Sequence, residues 1–279
     1  MEVFSPKRFT ALAGSFGLRP GVAIDLEEMK PDGSGHWNLD CKEDIAEVMQ
    51  IIETEDPYLL TGGPPCEVFS PLFRLSENKR PPDVVAAQVQ RGKERLRTAI
   101  QFYRKQMDRG RYFLHEHPFG ATSWKEEEMK TLIATDGVRF VKGPMCHWKM
   151  QVAARKGAPL SFVRKETGRV TNNAHLAEVL SQVCSDSVEG QPWYRHVQLV
   201  GGIAKQCQVY PPKLVKAVLG ALRKSMLSDG SLSAFDAFGA GPVPDTPLIP
   251  EGDWKSFVDD TTGTPLEAAM KQHAKKRYI

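Results

Sequence analysis

The sequence predicts an α/β fold in which a β-sheet is covered by the helices that connect its strands. Short apolar runs rich in valine, isoleucine, leucine and phenylalanine alternate with longer segments whose apolar residues recur every three or four positions. This alternation is typical of strands joined by crossover helices. The chain has 279 residues, of which 41% are hydrophobic and 25% charged, which is ordinary for a globular protein with one large core.

The predicted elements alternate in regular order up to about residue 228. The predicted strands cover residues 2–6, 21–26, 58–63, 111–118 and 138–143. The predicted helices cover residues 7–17, 41–56, 83–109, 123–134, 174–184 and 211–227. The second helix has an apolar face made of Ile45, Val48, Met49 and Ile52. Ser123 is a suitable N-cap for the helix that it begins, and two prolines open the last helix.

The composition changes after residue 228, which marks the end of the main domain, residues 1–228. Residues 229–253 are rich in Gly, Pro, Ser and Asp and are predicted to form an irregular linker. Residues 254–279 are predicted to form a basic C-terminal tail that ends in a short amphipathic helix.

Charge and cysteine content point to an intracellular protein. The net charge of +3 is too small to indicate a class of partner. The five cysteines are widely spaced and form no CxxC pair, which favours free thiols in a reducing compartment over a disulfide framework. No apolar run approaches the roughly 18 residues of a membrane span. The first residues lack the charged-then-apolar order of a signal peptide.

The stretch "LLTGGPPCEVFSPL" places Cys66 directly after a glycine pair and a proline pair, at the end of a predicted strand. The carboxyl edge of an open α/β sheet is where ligands bind. The prolines restrict the loop, and Gly62 and Gly63 let a ligand approach the backbone closely. Cys66 is therefore a candidate thiolate nucleophile. The alternative is a small packed thiol with no chemical role.

A second candidate group, Glu116, ends the strand "FLHEHP". On an extended strand Glu116 points to one face, and His115 and His117 point to the other. The carboxyl group is thus available as an acid beside the thiol. Two alternatives stay open. One is a metal-dependent hydrolase that uses the glutamate and both histidines. The other is a metal site made of His115, His117, Cys146 and His147, although its spacing matches no common motif.

A third candidate group, Asp25, follows the second strand, where nucleotide-binding domains hold a ribose hydroxyl. No GxGxxG motif precedes it. The sequence therefore favours an adenosine-containing cofactor without a pyrophosphate group.

Together, "GGPPCEVFS" and the order Asp25, Cys66, Glu116 resemble the cytosine-C5 DNA methyltransferases, whose Pro-Cys motif is GGPPCQxFS. The resemblance implies a Rossmann-like S-adenosylmethionine-dependent methyltransferase sheet with helices on both faces. It implies that Cys66 attacks C6 of a flipped cytosine, that Glu116 binds N3, and that C5 receives the methyl group. The same pattern resembles methyltransferase-like domains of retroelement polyproteins.

The resemblance also assigns contacts with the cofactor, S-adenosyl-L-methionine. The residues that it implies are Phe4, Ser5, Pro6, Asp25, Leu26, Asn38, Asp40, Gly62 and Pro64. The segment "YPPKLVKAVLGAL", residues 210–222, resembles the family's last motif but lacks its Gly-Asn. The chain departs from the family at three other motifs: "VFSP" replaces FxGxG, "HEHP" replaces the ENV triplet, and "RKETGRVTNN" stands in the place of QxRxR. In that last segment Lys165 or Arg169 is implied to grip the target nucleotide.

A basic stripe, residues 91–111, predicts a surface for nucleic acid. It holds eight Lys or Arg against two acids and follows the cysteine loop. The residues expected to contact nucleic acid are Ser70, Arg91, Lys93, Arg95 and Arg97. The alternative is a solvated helix face. The target-recognition domain is small or absent, because only residues 174–205 stand in its place, with Trp193 and Tyr194 available to stack on a base.

The sequence thus predicts a monomeric, nuclear or nucleoid methyltransferase that acts on DNA by base flipping. RNA is an alternative substrate for the same chemistry. A catalytically inactive nucleic-acid-binding module is the alternative from another class, favoured by the missing FxGxG and QxRxR motifs.

Overall fold

The fold is taken from a computed structural model that describes residues 1–153, 158–184, 196–197, 199 and 203–232. The predicted tail, most of the predicted linker, and the two aromatic residues Trp193 and Tyr194 lie outside the described residues.

The strands are short, and most lie where the apolar runs predict them. In chain order they are β1 (Glu2–Val3), β2 (Ala23–Ile24), β3 (Leu59–Gly62), β4 (Tyr112–Pro118), β5 (Arg139–Pro144), β6 (Gln151–Ala153), β7 (Leu160–Phe162) and β8 (Glu166–Thr171). The last three were not predicted.

The helices alternate with the strands through the first half of the chain. In chain order they are α1 (Phe9–Ala13), α2 (Lys42–Glu55), α3 (Pro71–Ser76), α4 (Pro82–Asp108), α5 (Glu127–Ile133), α6 (Ala174–Leu180), α7 (Ile203–Gln206) and α8 (Pro212–Ser228). No helix among these residues is long and apolar enough to cross a membrane.

Six strands form one mainly parallel sheet in the order β2-β1-β3-β4-β8-β5. Strands β1 to β4 are parallel, and β8 is antiparallel to both of its neighbours. The chain moves from β1 to β2 on one side and then to β3 on the other. The order therefore reverses between β1 and β3, and in open α/β sheets the carboxyl ends of such strands flank a binding crevice.

Helices cover both faces of this sheet, as predicted. Leu59 and Leu114 pack with α1, α6 and α8, whereas Leu60 and Phe113 pack with α2, α4 and α5. Because neighbouring residues of a strand point to opposite faces, these two apolar clusters lie on opposite sides of the sheet.

Three local predictions are wrong. The first strand stops at Val3, because Phe4 has a left-handed backbone (φ 55°). The helix predicted to end at residue 184 ends at Leu180. Ser123 does not cap a helix: it is buried in a short 3-10 turn, where its hydroxyl binds His117, and α5 begins four residues later. None of the five cysteines is in a disulfide, as expected.

Candidate functional site

The cysteine loop leaves the carboxyl end of β3 and is tied to β4 by a buried histidine. His117 Nε2 lies 2.8 Å from the carbonyl oxygen of Pro64, and Nδ1 lies 2.7 Å from Ser123 Oγ. Because a carbonyl can only accept, Nε2 carries the proton and Nδ1 accepts from the serine hydroxyl. Burial lowers the pKa of His117, which keeps the ring neutral and the loop anchored.

The same arrangement excludes the alternative metal site and the hydrolase. His115 is fully buried, with Nδ1 3.0 Å from Tyr103 Oη, and its ring lies beside that of His117. Glu116 projects from the opposite face of β4, where it lines a cavity. The two histidines and the glutamate therefore cannot share a metal ion. His147 is exposed, and Cys146 contributes to a different cluster, described below.

Glu116 lies among polar side chains at the carboxyl edge of the sheet. Tyr210 Oη donates to Glu116 Oε2 at 3.4 Å, and Lys165 Nζ lies 3.7 Å from Oε1. Arg169 sits directly opposite Glu116 in the β4–β8 ladder. Glu116 Oε1 is buried and has no hydrogen-bond partner among the described residues. A buried carboxylate oxygen without a donor is costly, so it is a suitable acceptor for a ligand N–H.

The two residues expected to grip a target nucleotide differ in their surroundings. Lys165 is half-buried and donates to the carbonyl oxygen of Cys207 at 3.2 Å. Arg169 is only 1% exposed and contacts Gly143 O and Met145 Sδ, each at 3.4 Å. Burial lowers the pKa of Arg169, which the charge of Glu116 partly offsets. Arg169 is therefore a buried charge near Glu116 with no hydrogen bond or ion pair to it among the described residues, whereas Lys165 forms the ion pair with Glu116.

Cys66 follows the two prolines and precedes a short 3-10 turn, Glu67–Phe69. The side chain is half-buried rather than sealed in the core. Burial, followed by the charges of Glu116 and Glu67, raises the pKa of the thiol to about 12, although the charge of Lys165 opposes this rise. The thiol of Cys66 thus lies within charge range of both Glu116 and Lys165, and it is protonated at neutral pH.

A small cavity lies between the carboxyl ends of β1, β3 and β4. Ser5, Gly63, Glu116, Arg169 and Tyr210 line it, and Cys66 does not. Its volume of about 10 Å³ is close to what one water molecule needs. A Cβ atom on Gly63 would lie 3.4 Å from Tyr210 Oη and 4.0 Å from Glu116 Oε2, so the glycine leaves space beside the carboxylate.

Gly62 has a different reason to lack a side chain. A Cβ atom there would overlap the hydroxyl oxygen of Tyr103 from α4. Close packing between β3 and α4 therefore requires this glycine, whether or not a ligand approaches it. Pro64 is buried and holds the loop through its carbonyl group.

The turn after β1 carries the three residues that replace the FxGxG motif. Phe4 has the left-handed backbone noted above, and Pro6 is half-buried. Ser5 Oγ donates to Pro6 O at 3.0 Å and lies 3.4 Å from Glu2 Oε2. The buried carboxylate of Glu2 also accepts from the backbone amides of Arg8 and Thr10, at 2.9 and 2.8 Å. Glu2 thus fixes the turn and caps α1.

The residues expected to hold adenosine lie beyond β2. Asp25 is half-buried, and its Oδ1 accepts from the amide of Glu27 at 3.1 Å. Leu26 is 43% exposed. Asn38 is exposed, and its Oδ1 accepts from the amide of Asp40 at 3.1 Å.

Asp40 and Arg95 form a bidentate ion pair. Arg95 Nε and Nη2 bind the two carboxylate oxygens of Asp40 at 2.6 and 2.5 Å. The Asp40 carboxylate is therefore occupied and does not serve adenine in this conformation. Such a bidentate pair also holds the Arg95 guanidinium away from a phosphate.

The basic stripe lies beside the cysteine loop, but much of its charge is neutralised within the chain. A Cβ atom on Gly92 would overlap Val68, two residues after Cys66. Lys93 pairs with Glu126 at 3.0 Å and Arg97 with Glu128 at 2.7 Å. Arg91 is exposed and forms no ion pair with the residues that the structure describes. Ser70 caps α3 by accepting from the amide of Leu72 at 3.2 Å.

Several residues of the site escaped prediction. Tyr103 and Glu2 carry no local motif, and their roles, like the contact of Tyr210 with Glu116, arise from pairing between distant segments. The proline pair after Tyr210, which opens α8, was the one signal in the sequence that indicated this position.

No protein-family model, curated protein or solved structure matches this chain. The resemblance to cytosine-C5 methyltransferases therefore depends on the residues themselves.

Proposed function

We propose that this chain is an S-adenosylmethionine-dependent methyltransferase that acts on C5 of cytosine in DNA, with Cys66 as nucleophile and Glu116 as its partner. The sheet order supports a Rossmann-like methyltransferase fold, because its reversal point lies where the Pro-Cys loop emerges. The observation that carries the proposal is the buried Oε1 of Glu116, which accepts no hydrogen bond from the described residues and has only the Lys165 ammonium group nearby, beside a loop that His117 holds in place.

The residues present fit the cofactor in part. Asp25 at the end of β2 suits a ribose hydroxyl, and the fixed turn around Ser5 suits the methionine end. Asp40 does not fit as it stands, because Arg95 occupies it. The cavity of about 10 Å³ admits no nucleoside, so binding requires lining side chains such as Tyr210 to move. When bound, S-adenosylmethionine supplies an electrophilic methyl group.

Glu116 controls the charge state of Cys66. The Cys66 thiol is protonated at rest, because burial and two neighbouring carboxylates disfavour the thiolate. Binding of cytosine through N3 would bring one proton from solvent onto the pair formed by Glu116 and N3, which neutralises that carboxylate. The repulsion then falls, and the positive charge of Lys165 favours the thiolate. Cys66 therefore becomes a nucleophile when the pyrimidine is in place.

The remaining steps of methyl transfer use Cys66 as the nucleophile and Glu116 as the proton donor. The Cys66 thiol loses its proton to solvent, and the thiolate forms a bond to C6 while Glu116 donates a proton to N3. The ring's C5 then carries electron density and would take the methyl group as the bond between that methyl and the cofactor's sulfur breaks, which leaves the sulfur as a neutral thioether. Loss of the C5 proton to solvent re-forms the ring double bond, expels the Cys66 thiolate, and returns the N3 proton to Glu116. Since C6 is inaccessible in a stacked duplex, the base must be flipped out.

Two observations favour the second candidate, an inactive nucleic-acid-binding module. The cavity is nearly closed, and the Asp40–Arg95 pair occupies a predicted cofactor contact. Calorimetry with S-adenosylmethionine distinguishes the two candidates, because an inactive descendant does not bind the cofactor.

Label transfer and base trapping test the proposal directly. We expect the chain to transfer label from S-adenosylmethionine to DNA, and Cys66→Ser to abolish transfer. Wild type should form a covalent adduct with DNA containing 5-fluorocytosine, and Cys66→Ser should not. Equal trapping by both proteins would exclude Cys66 as the nucleophile. Mass spectrometry of nucleosides after incubation with DNA or RNA identifies the polymer and the base.

A further inference from the structure

A second group of chemically active side chains lies outside this site. Cys146, Cys184 and His196 each place one possible ligand atom within 4.8 Å of the other two. Cys146 follows β5 in a short 3-10 turn, and Cys184 follows α6. His196 precedes Val197, which pairs with Val163 next to β7. Three segments that are distant in sequence thus meet at one point.

The distance between two of the three ligand atoms matches that in a tetrahedral metal site. Cys184 Sγ lies 3.5 Å from His196 Nε2. In a tetrahedral zinc site, with Zn–S of about 2.3 Å and Zn–N of about 2.05 Å, the same two atoms are about 3.6 Å apart. Two sulfurs and one imidazole nitrogen favour zinc over magnesium or calcium, which prefer oxygen ligands.

The segments that carry these ligands also pack tightly beside the candidate active site. A Cβ atom on Gly143 of β5 would lie 2.6 Å from the carbonyl oxygen of Leu180, so the ends of β5 and α6 touch. Cys146, which is 2% exposed, adjoins Met145, whose sulfur contacts Arg169. Leu180 itself lines the cavity.

We propose that Cys146, Cys184 and His196 supply three of the four ligands of a structural Zn²⁺ site. The ion joins the end of β5 to the segment after α6 and to the strand pairing at Val163. Binding requires both thiols to lose their protons to solvent, and it involves no oxidation or reduction. The ion thereby holds Arg169 and Leu180 in position, independently of whether the chain transfers methyl groups.

Metal content tests this inference on the full chain, purified under reducing conditions without chelator. We expect about one zinc per chain by elemental mass spectrometry, and less than a tenth of that for Cys184→Ser. Cys41→Ser is the matched control, since Cys41 is half-buried near the start of α2, away from the cluster, and it should retain the zinc. Circular dichroism checks that each variant is folded.

A cobalt measurement keeps the test valid if a variant fails to fold. Wild-type chain stripped of zinc and titrated with Co²⁺ should show thiolate-to-cobalt charge transfer and the intense visible bands of tetrahedral cobalt. Added zinc should abolish both. Absence of zinc together with absence of these bands would overturn the inference. So would a Cys146–Cys184 disulfide, found by peptide mass spectrometry in the protein as purified.

Discussion

Replacing Glu116 with glutamine should make Cys66 react faster with an alkylating reagent, because only the thiolate reacts. Burial and the two carboxylates raise the pKa of Cys66 from an ordinary value of 9.0 to about 12. At pH 8 the ionised fraction of Cys66 is then about one in ten thousand, whereas the ionised fraction of an ordinary thiol is about one in ten. We therefore expect Cys66 in the wild type to react about a thousandfold more slowly than an ordinary thiol.

Glutamine keeps the shape of Glu116 and removes its charge. The substitution removes one of the two carboxylates that raise the pKa of Cys66, so that pKa should fall. For each pKa unit by which it falls, the labelling rate at a pH below the pKa should rise about tenfold. Lys165→Met removes the opposing charge and should slow the reaction. Glu127→Gln, at an 80% exposed side chain, is the matched control and should change nothing.

The assay follows iodoacetamide labelling of the Cys66 peptide by mass spectrometry between pH 7 and pH 10. Peptide-level detection separates Cys66 from the other four cysteines. Equal rates for wild type, Glu116→Gln and Lys165→Met would show that the thiol does not sense these charges. An ordinary pKa in the wild-type rate profile would refute the reasoning about burial.

Three further measurements test the buried histidines beside the cysteine loop, the packing at Gly62, and the contact of the basic stripe with DNA. Burial lowers the pKa of His115 and His117, so the unfolded chain binds protons below about pH 6.5 that the folded chain does not. The contribution of the two histidines to the free energy of unfolding is therefore complete above about pH 6.5 and decreases as the pH falls below it. An unchanged urea midpoint between pH 7 and pH 5 would contradict this prediction. Gly62→Ala should destabilise the fold by about 1–3 kcal/mol in urea melts through overlap with Tyr103, with partial rescue by Tyr103→Phe. If Lys93 contacts phosphate, Lys93→Ala should reduce the slope of log affinity for DNA against log salt by about one, and an unchanged slope would remove it from the interface.

Local sequence rules predicted the parts of the site that lie on single strands. The apolar run before Gly62 is followed by a glycine pair and a proline pair, which together predict that β3 ends there. Alternation along β4 predicted that Glu116 would point away from His115 and His117, and this was confirmed.

Long-range pairing produced the rest, and local rules cannot detect it. Nothing near Arg169 indicates that β8 enters the sheet between β4 and β5, which places this residue opposite Glu116. The cluster of Cys146, Cys184 and His196 escaped because its ligands come from segments far apart in the chain, whereas zinc motifs are recognised by short spacings. The ion pairs of the basic stripe also escaped prediction, because its acidic partners come from other elements.

The antiparallel position of β8 makes the site sensitive to strand slippage. Side chains directly opposite each other in a ladder share one face, which is how Arg169 and Glu116 both reach the same cavity. A slip of β8 by a single position would turn the arginine toward α4 and bring an apolar valine opposite the carboxylate. The length of the connection before β8 therefore governs the electrostatics of the cavity, and the same connection carries Lys165, which lies beside Glu116.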